Sequence, residues 1–228
     1  MLHKLKAIVN GDIGCYTLGA MPPFEAIDTC LCMGASIGAG LGMEKAKDES
    51  FARRVVSVIG DSTFIHSGIT GLIDHVYNKS TGTIIILDNS TTAMTGHQDH
   101  PATGLTLGKQ KTVKIDIAAL VSAVGCQNIR IVDPYDLKDL EQALREEMSR
   151  PEVSVIITNR PCALLGKERH FKAMSHFDRC NGCKKCLRLG CPALYLTEDC
   201  VQVDSDLCTG CSMCEQVCPQ GKGVLGDE

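Results

Sequence analysis

The chain has 228 residues, 44% apolar and 22% charged, enough for one ordinary domain with a core and a second, small one. A net charge of −4 without a long basic run argues against a nucleic-acid partner. No apolar segment reaches membrane-spanning length, and Met1-Leu2-His3-Lys4-Leu5-Lys6 has no signal-peptide core, so the expectation is a soluble, cytoplasmic protein with no membrane partner.

In chain order, Leu5 to Val9 reads as a short strand running into the turn-rich Asn10-Gly11-Asp12-Ile13-Gly14-Cys15, and Pro22-Pro23 marks a further break. A helix is predicted from about Met33 to Lys47. It opens on Gly34-Ala35-Ser36-Ile37-Gly38-Ala39-Gly40, small residues that suit either tight helix–sheet packing or the close approach of a ligand. Residues 55–59 form the next strand. Ser67 to Asn78 reads as a helix with Ile69, Leu72, Ile73 and Val76 on one face, and Thr83 to Leu87 as a strand. Residues 89–112 are a long polar loop, a kind that is usually functional inside a compact domain. Asp116 caps a helix to about Val124, Ile129 to Val132 is a strand, Leu137 to Ser149 an amphipathic helix, and Val153 to Thr158 the last strand.

Strands thus alternate with helices over residues 1–160, which predicts a three-layer α/β domain with a mostly parallel sheet. Residues 161–177, with basic Lys167, Arg169, His170 and Lys172, are a linker candidate, and 178–228 a small second domain.

Two of the apolar, β-branched runs stop abruptly at small and acidic residues, one at Gly60-Asp61-Ser62 and the other at Asp88-Asn89. Buried parallel strands end this way when their carboxyl edge opens into a binding site. Asp61 and Asn89 lie 28 residues apart, about one strand–helix–strand unit, so neighbouring strands would bring a carboxylate and an amide oxygen to one sheet edge. Hard oxygen ligands suit Mg²⁺, which completes its shell with substrate phosphates. The bland alternative is Asp61 as a helix N-cap and Asn89 in a turn.

Nine of the fourteen cysteines crowd into residues 180–218. With CxxC spacing and no export signal, metal ligation explains them better than disulfides. They read Cys180-x2-Cys183-x2-Cys186-x4-Cys191-Pro192 and Cys208-x2-Cys211-x2-Cys214-x3-Cys218-Pro219. Zinc ribbons also pair CxxC motifs, but without four cysteines per repeat and a terminal proline. Cys200 stands outside the pattern and reads as a buried small residue.

The tail resembles the bacterial two-cluster ferredoxins, in which the cysteine before proline ligates the other cluster. The resemblance implies one [4Fe-4S] cluster on Cys180, Cys183, Cys186 and Cys218 and another on Cys208, Cys211, Cys214 and Cys191, in a ferredoxin-like α+β domain. The x4 spacing before Cys191 departs by one residue from that pattern. Upstream, Gly11-Asp12-Ile13-Gly14-Cys15, Cys32-Met33-Gly34-Ala35-Ser36, Gly60-Asp61-Ser62-Thr63 and Leu87-Asp88-Asn89-Ser90-Thr91-Thr92-Ala93-Met94-Thr95-Gly96-His97-Gln98 together resemble the 2-oxoacid:ferredoxin oxidoreductases, most of all the C-terminal part of the catalytic subunit of the aryl-pyruvate branch.

That resemblance implies thiamine diphosphate held through Mg²⁺ by Asp61, Asn89 and the Thr91 carbonyl. Gly60, Ser62 and Thr63 would lie against the diphosphate, Gly11, Asp12, Ile13, Gly14 and Cys15 along the pocket, and Gly34, Ala35 and Ser36 beneath the cofactor rings. His66, His97 and Gln98 would be polar contacts near the reacting carbon, whereas His75 and His100 have no comparable positional support. The implied activity is oxidative decarboxylation of an aryl 2-oxo acid to its acyl-CoA, with coenzyme A as co-substrate and ferredoxin as electron acceptor. Siblings act on pyruvate or 2-oxoglutarate, and an electron-transfer module with a vestigial cofactor fold is the competitor from another class. The glutamate that activates the cofactor is expected from a pyrimidine-domain segment or subunit absent here, beside a beta subunit of the oxidoreductase. Neither Glu25 nor Glu44 is assigned that role. The chain alone is expected to be inactive.

Overall fold

Six strands form the central sheet of this computed structural model, which describes residues 1–165, 174–177, 179–220 and 223–225. They are β1 (Ile8–Gly11), β2 (Thr29–Cys30), β3 (Val55–Gly60), β4 (Thr83–Asp88), β5 (Asn128–Val132) and β6 (Ser154–Asn159). Their order is β2-β1-β3-β4-β6-β5, and every neighbouring pair is parallel. The helices are α1 (Ala35–Ala46), α2 (Glu49–Ala52), α3 (Asp61–Thr63), α4 (Ile69–Tyr77), α5 (Ile117–Ala123) and α6 (Leu137–Glu147).

The period of two along each strand sorts the core into two layers. Val56 and Val58 of β3, Ile85 of β4 and Ile156 of β6 pack with Ala143 and Leu144 of α6. Ile59, Ile84, Ile86, Val155 and Ile157 pack on the opposite face with Ile37 of α1, Leu72 of α4 and Val121 of α5. The result is the expected three-layer α/β domain, with each fully buried aliphatic side chain contributing about 1.5–3 kcal/mol.

Three local expectations change. The first strand begins at Ile8, because Leu2–Leu5 forms a 3₁₀ turn that lays Leu2 and Leu5 on the core and is closed by Lys6 at φ 55°. The helix expected from Ser67 starts instead at the end of β3: α3, a π turn over Phe64–Gly68 and α4 follow one another without a break from Asp61. The helix expected from Met33 starts at Ala35, after Gly34 at φ 88°.

Two of the small residues at the start and middle of α1 allow close packing. A Cβ on Gly40 would run into the Ser57 hydroxyl, which donates to the Ser36 carbonyl at 2.9 Å. A Cβ on Gly34 would run into Ser67 Oγ and stand 2.8 Å from its Cβ. Gly34→Ala therefore combines a left-handed φ with a steric clash, and is expected to destabilise the fold by about 1–3 kcal/mol, read as a lower denaturant midpoint with an unchanged m-value.

At its other end α1 is tied by Glu44. Its carboxylate accepts from the Thr81 N–H (2.9 Å), the Gly82 N–H (3.1 Å) and the Ser80 hydroxyl, and Ser80 Oγ lies 2.6 Å from His75 Nδ1. His75 is thereby a core residue of α4, with Nε2 3.0 Å from the Ile37 carbonyl, and burial holds its pKa below the usual imidazole value.

The chain divides into two compact units: Met1–Met21, Glu25–Pro134 and Lys138–Cys162 in one, and Pro22–Phe24, Tyr135–Leu137 and Ala163–Glu228 in the other. In the second, β7 (Met174–Phe177) pairs antiparallel with β10 (Gly223–Leu225), and β8 (Leu194–Leu196) with β9 (Val201–Val203), beside α7 (Met213–Val217). Lys167, Arg169, His170 and Lys172 of the expected linker lie outside the described residues. Among the described residues, no helix is long and apolar enough to cross a membrane.

Candidate cofactor and cluster sites

Gly60 and Leu87 are register partners, so β3 and β4 finish level and present Asp61, Asp88 and Asn89 at one carboxyl edge of the sheet. A cavity of about 350 Å³ opens there. Its walls include Ile13, Gly14, Cys15, Gly60, Asp61, Ser62, Thr63, Asn89 and Thr91 of the expected set. They also include Tyr16, Met33, Asp88, Thr92 to Thr95 and Arg160, none of which had been assigned a role.

The Asp61 carboxylate is buried and held from several sides. Oδ1 accepts from the Ser62 N–H at 2.8 Å, and Oδ2 from the Ser90 N–H at 3.0 Å. His100 Nε2 stands 3.2 Å from Oδ2. Asp88 lies beside it, accepting from Asn159 Nδ2 at 2.7 Å and from the Ser90 N–H at 3.2 Å. Burial, then the charge of Asp61, pushes the Asp88 pKa up. Asn89 Oδ1 accepts from the Thr91 N–H at 3.2 Å in a turn, which leaves its second lone pair for a cation.

This donor set fits Mg²⁺. Two adjoining carboxylates repel unless a proton or a cation lies between them, and the remaining groups are hard oxygens. Tyr16 braces the edge from behind, its hydroxyl accepting from the Gly60 N–H at 3.2 Å; burial, then the charge of Asp12, holds its pKa far above the usual phenol value.

Other expected residues are placed differently. Asp12 is fully buried and its carboxylate caps α1, accepting from the backbone N–H groups of Gly34 (3.0 Å), Ala35 (3.1 Å) and Ser36 (3.3 Å) and from the Ser36 hydroxyl (3.1 Å). Burial raises its pKa against the pull of those bonds. Gly11, Asp12, Gly34, Ala35 and Ser36 are thus not among the cavity walls but form the support behind them.

His66 is exposed in the π turn, and His97, at φ 60°, turns its Nε2 to within 3.9 Å of Cys162 Sγ. Gln98 closes its own loop through Thr95, with Nε2 donating to the Thr95 carbonyl (2.6 Å) and Oε1 accepting from the hydroxyl (2.7 Å). None of these three lines the cavity. Glu44, spent in the core, is equally remote from it.

In the second unit, Cys186, Ala193, Leu194, Val201 and Val203 make a small core against which Cys180, Cys191, Cys208, Cys214 and Cys218 pack. Burial pushes the Cys186 thiol up, and the sulfurs close enough to add to this are those of Cys218, Cys180 and Cys183. Burial pushes Cys214 up to about 12, with Cys211 and Cys191 as its sulfur neighbours. Cys218 is thus a sulfur neighbour of Cys186, and Cys191 of Cys214.

Backbone N–H groups already point at two sulfurs, Val201 at Cys180 (3.3 Å) and Gly210 at Cys208 (3.4 Å), as thiolate ligands require. Cys200, expected to be buried, is half-exposed at the β8–β9 turn and engages Thr197 and Gln202. Among the described residues, no three His, Cys, Asp or Glu side chains converge on a point for one ion. The cavity edge needs amide and carbonyl oxygens as well. The two runs of four cysteines, each ending before proline, suit iron–sulfur clusters better than a single zinc.

Residues 12–158 match the family described as thiamine pyrophosphate enzyme, C-terminal TPP binding domain, and residues 201–221 match the 4Fe-4S binding domain. The indolepyruvate oxidoreductase subunit IorA of Archaeoglobus fulgidus is 38% identical over 219 residues, covering 93% of this chain and 34% of its own length. That of Thermococcus kodakarensis is 40% identical over 238 residues, covering 94% and 36%. The chain therefore spans about a third of the length of these relatives. A 2-oxoglutarate:ferredoxin oxidoreductase from Magnetococcus marinus shares the fold with a TM-score of 0.59 at 16% identity, over 71% of this chain and 56% of that one.

Proposed function

Because this chain belongs to the thiamine pyrophosphate enzymes, we propose that it is the C-terminal piece of the catalytic subunit of a 2-oxoacid:ferredoxin oxidoreductase acting on aryl 2-oxo acids of the indolepyruvate kind. One observation carries this reading: a TPP-binding domain and a 4Fe-4S motif follow each other in a single chain. A decarboxylase that passed no electrons on would have no use for the second. The IorA name of the relatives supports the aryl substrate.

Asp61, Asn89 and the Thr91 carbonyl would hold Mg²⁺, with Gly60, Ser62 and Thr63 beside the diphosphate. Ile13, Gly14 and Cys15 would exclude water along the wall. When bound, thiamine diphosphate supplies the electron sink into which a 2-oxo acid loses CO₂. Cys180, Cys183, Cys186 and Cys218 would hold one [4Fe-4S] cluster, and Cys208, Cys211, Cys214 and Cys191 the other, carrying electrons singly to ferredoxin while coenzyme A takes the acyl group. Partners would be a pyrimidine-domain segment or subunit and a beta subunit.

Reduction of a viologen dye is the test. The chain alone, given thiamine diphosphate, Mg²⁺ and indolepyruvate, is expected to reduce none. With the pyrimidine-domain and beta partners added, reduction appears and is faster with indolepyruvate or phenylpyruvate than with pyruvate. Preference for pyruvate would overturn the aryl assignment, and no saturable thiamine diphosphate binding even with partners would favour a vestigial cofactor fold.

A further inference from the structure

We propose, resting on the metal assignment above, that His100 is a positioning residue that fixes the Asp61 carboxylate from behind. The His100 and Asp61 side chains are 4% and 3% exposed, with Nε2 3.2 Å from Oδ2. On the other side of the ring, Nδ1 accepts from the Ala102 N–H at 3.4 Å, so Nδ1 is bare and Nε2 carries the proton. Among the described residues that proton has no other acceptor: Nε2 is a buried nitrogen without a hydrogen-bond partner, near Asp61 but out of line with it. Leaving it unpaired costs about 1–3 kcal/mol, and a small turn of the ring or carboxylate recovers this. Active-site hydrogen bonds tighten in this way once the site is filled.

The backbone keeps the ring in place. The Thr103 N–H and hydroxyl both donate to the His100 carbonyl, at 2.8 and 2.9 Å, and Ala102 is anchored in the core. Chemistry favours a neutral imidazole for the task. A lysine or arginine behind Asp61 would cancel the charge that attracts a cation, whereas a neutral N–H aligns the carboxylate and leaves its charge intact. With Ser62 and Ser90 already donating to Asp61, His100 supplies the third point that stops the carboxylate from swinging away from Asp88.

The test uses the full chain and Mn²⁺ in place of Mg²⁺. Titrations followed by electron paramagnetic resonance, with thiamine diphosphate present, are run on wild type, His100→Leu and His100→Gln. His100→Leu is expected to weaken Mn²⁺ binding about 10–100-fold. His100→Gln, whose amide N–H can replace Nε2–H, is expected to recover most of that, while both variants unfold at similar denaturant concentrations without metal. Wild-type affinity in His100→Leu, or no rescue by glutamine in a folded protein, would overturn the proposal. If the wild type binds no Mn²⁺ even with the pyrimidine-domain partner added, the cofactor assignment falls, and His100 is judged separately by ¹⁵N imidazole shifts of the metal-free chain. A bare Nδ1 and protonated Nε2, with the Nε2 signal moved by Asp61→Asn, sustain the Asp61 contact. The opposite tautomer, or an unmoved signal, overturns it.

Discussion

Asp12→Ala is expected to remove a fifth or more of the stability of the first unit. The substitution leaves three backbone N–H groups at the start of α1 and the Ser36 hydroxyl without their shared acceptor, with Ser36 buried and Gly34 and Ala35 partly so. At about 1–3 kcal/mol per unsatisfied buried group the loss is on the order of 3 kcal/mol or more, against domain stabilities of about 5–15 kcal/mol. The negative charge at a helix N-terminus is lost as well. Asp12→Asn keeps one carbonyl acceptor but turns an N–H₂ toward the remaining donors, so an intermediate loss is expected. Denaturant unfolding measures both, and hydrogen exchange at Gly34, Ala35 and Ser36 should accelerate before exchange elsewhere. Unchanged exchange at those amides would show that Asp12 is not the cap.

The same contacts bear on how ligands can bind. A carboxylate from this chain already fills the N-terminus of α1, so that end offers little to a diphosphate. The donors left for one lie at the β3–β4 edge, around Ser62 and Thr63.

The β3–β4 edge was legible in the sequence because its signal is local. Each strand is a β-branched run, each ends on a small or acidic residue, and a parallel register puts the two ends level. Asp12 was not, because its partners lie 22 to 24 residues away and the two loops carry no periodic pattern linking them. Glycine and small residues at 34–36 suggested room for a ligand, and in the fold a Cβ on Gly34 would meet Ser67. The helix start at Asp61 was hidden by the π turn, which inserts an extra residue and slips the apolar stripe out of phase with Ile69, Leu72 and Val76. β2, at two residues, is too short to show alternation. His100 reaches Asp61 only through the folding of the 89–112 loop, so its neighbours in sequence give no hint of its place, whereas His97, closer to the motifs, lies against Cys162.

The proposed interleaving of the cysteines leads to the other large effect. Cys218→Ala is expected to empty the site of the first motif, although Cys218 belongs to the second, because its sulfur stands with Cys186, Cys180 and Cys183. Cys191→Ala should empty the site shared with Cys211 and Cys214. Iron per chain falls from about eight to about four in either single variant, since each cubane carries four irons. Double variants separate this from ligation within each motif. Cys186→Ala with Cys218→Ala should lose no more iron than either alone, whereas Cys214→Ala with Cys218→Ala should lose nearly all of it. Ligation within motifs requires the reverse, because Cys214 and Cys218 would then share one cluster. Stability should follow the iron. The second unit has only a handful of buried apolar side chains, so the free energy of cluster binding is much of its folding free energy. Loss of one cluster is therefore expected to raise its protease sensitivity sharply while β1 to β6, with their own core, stay protected.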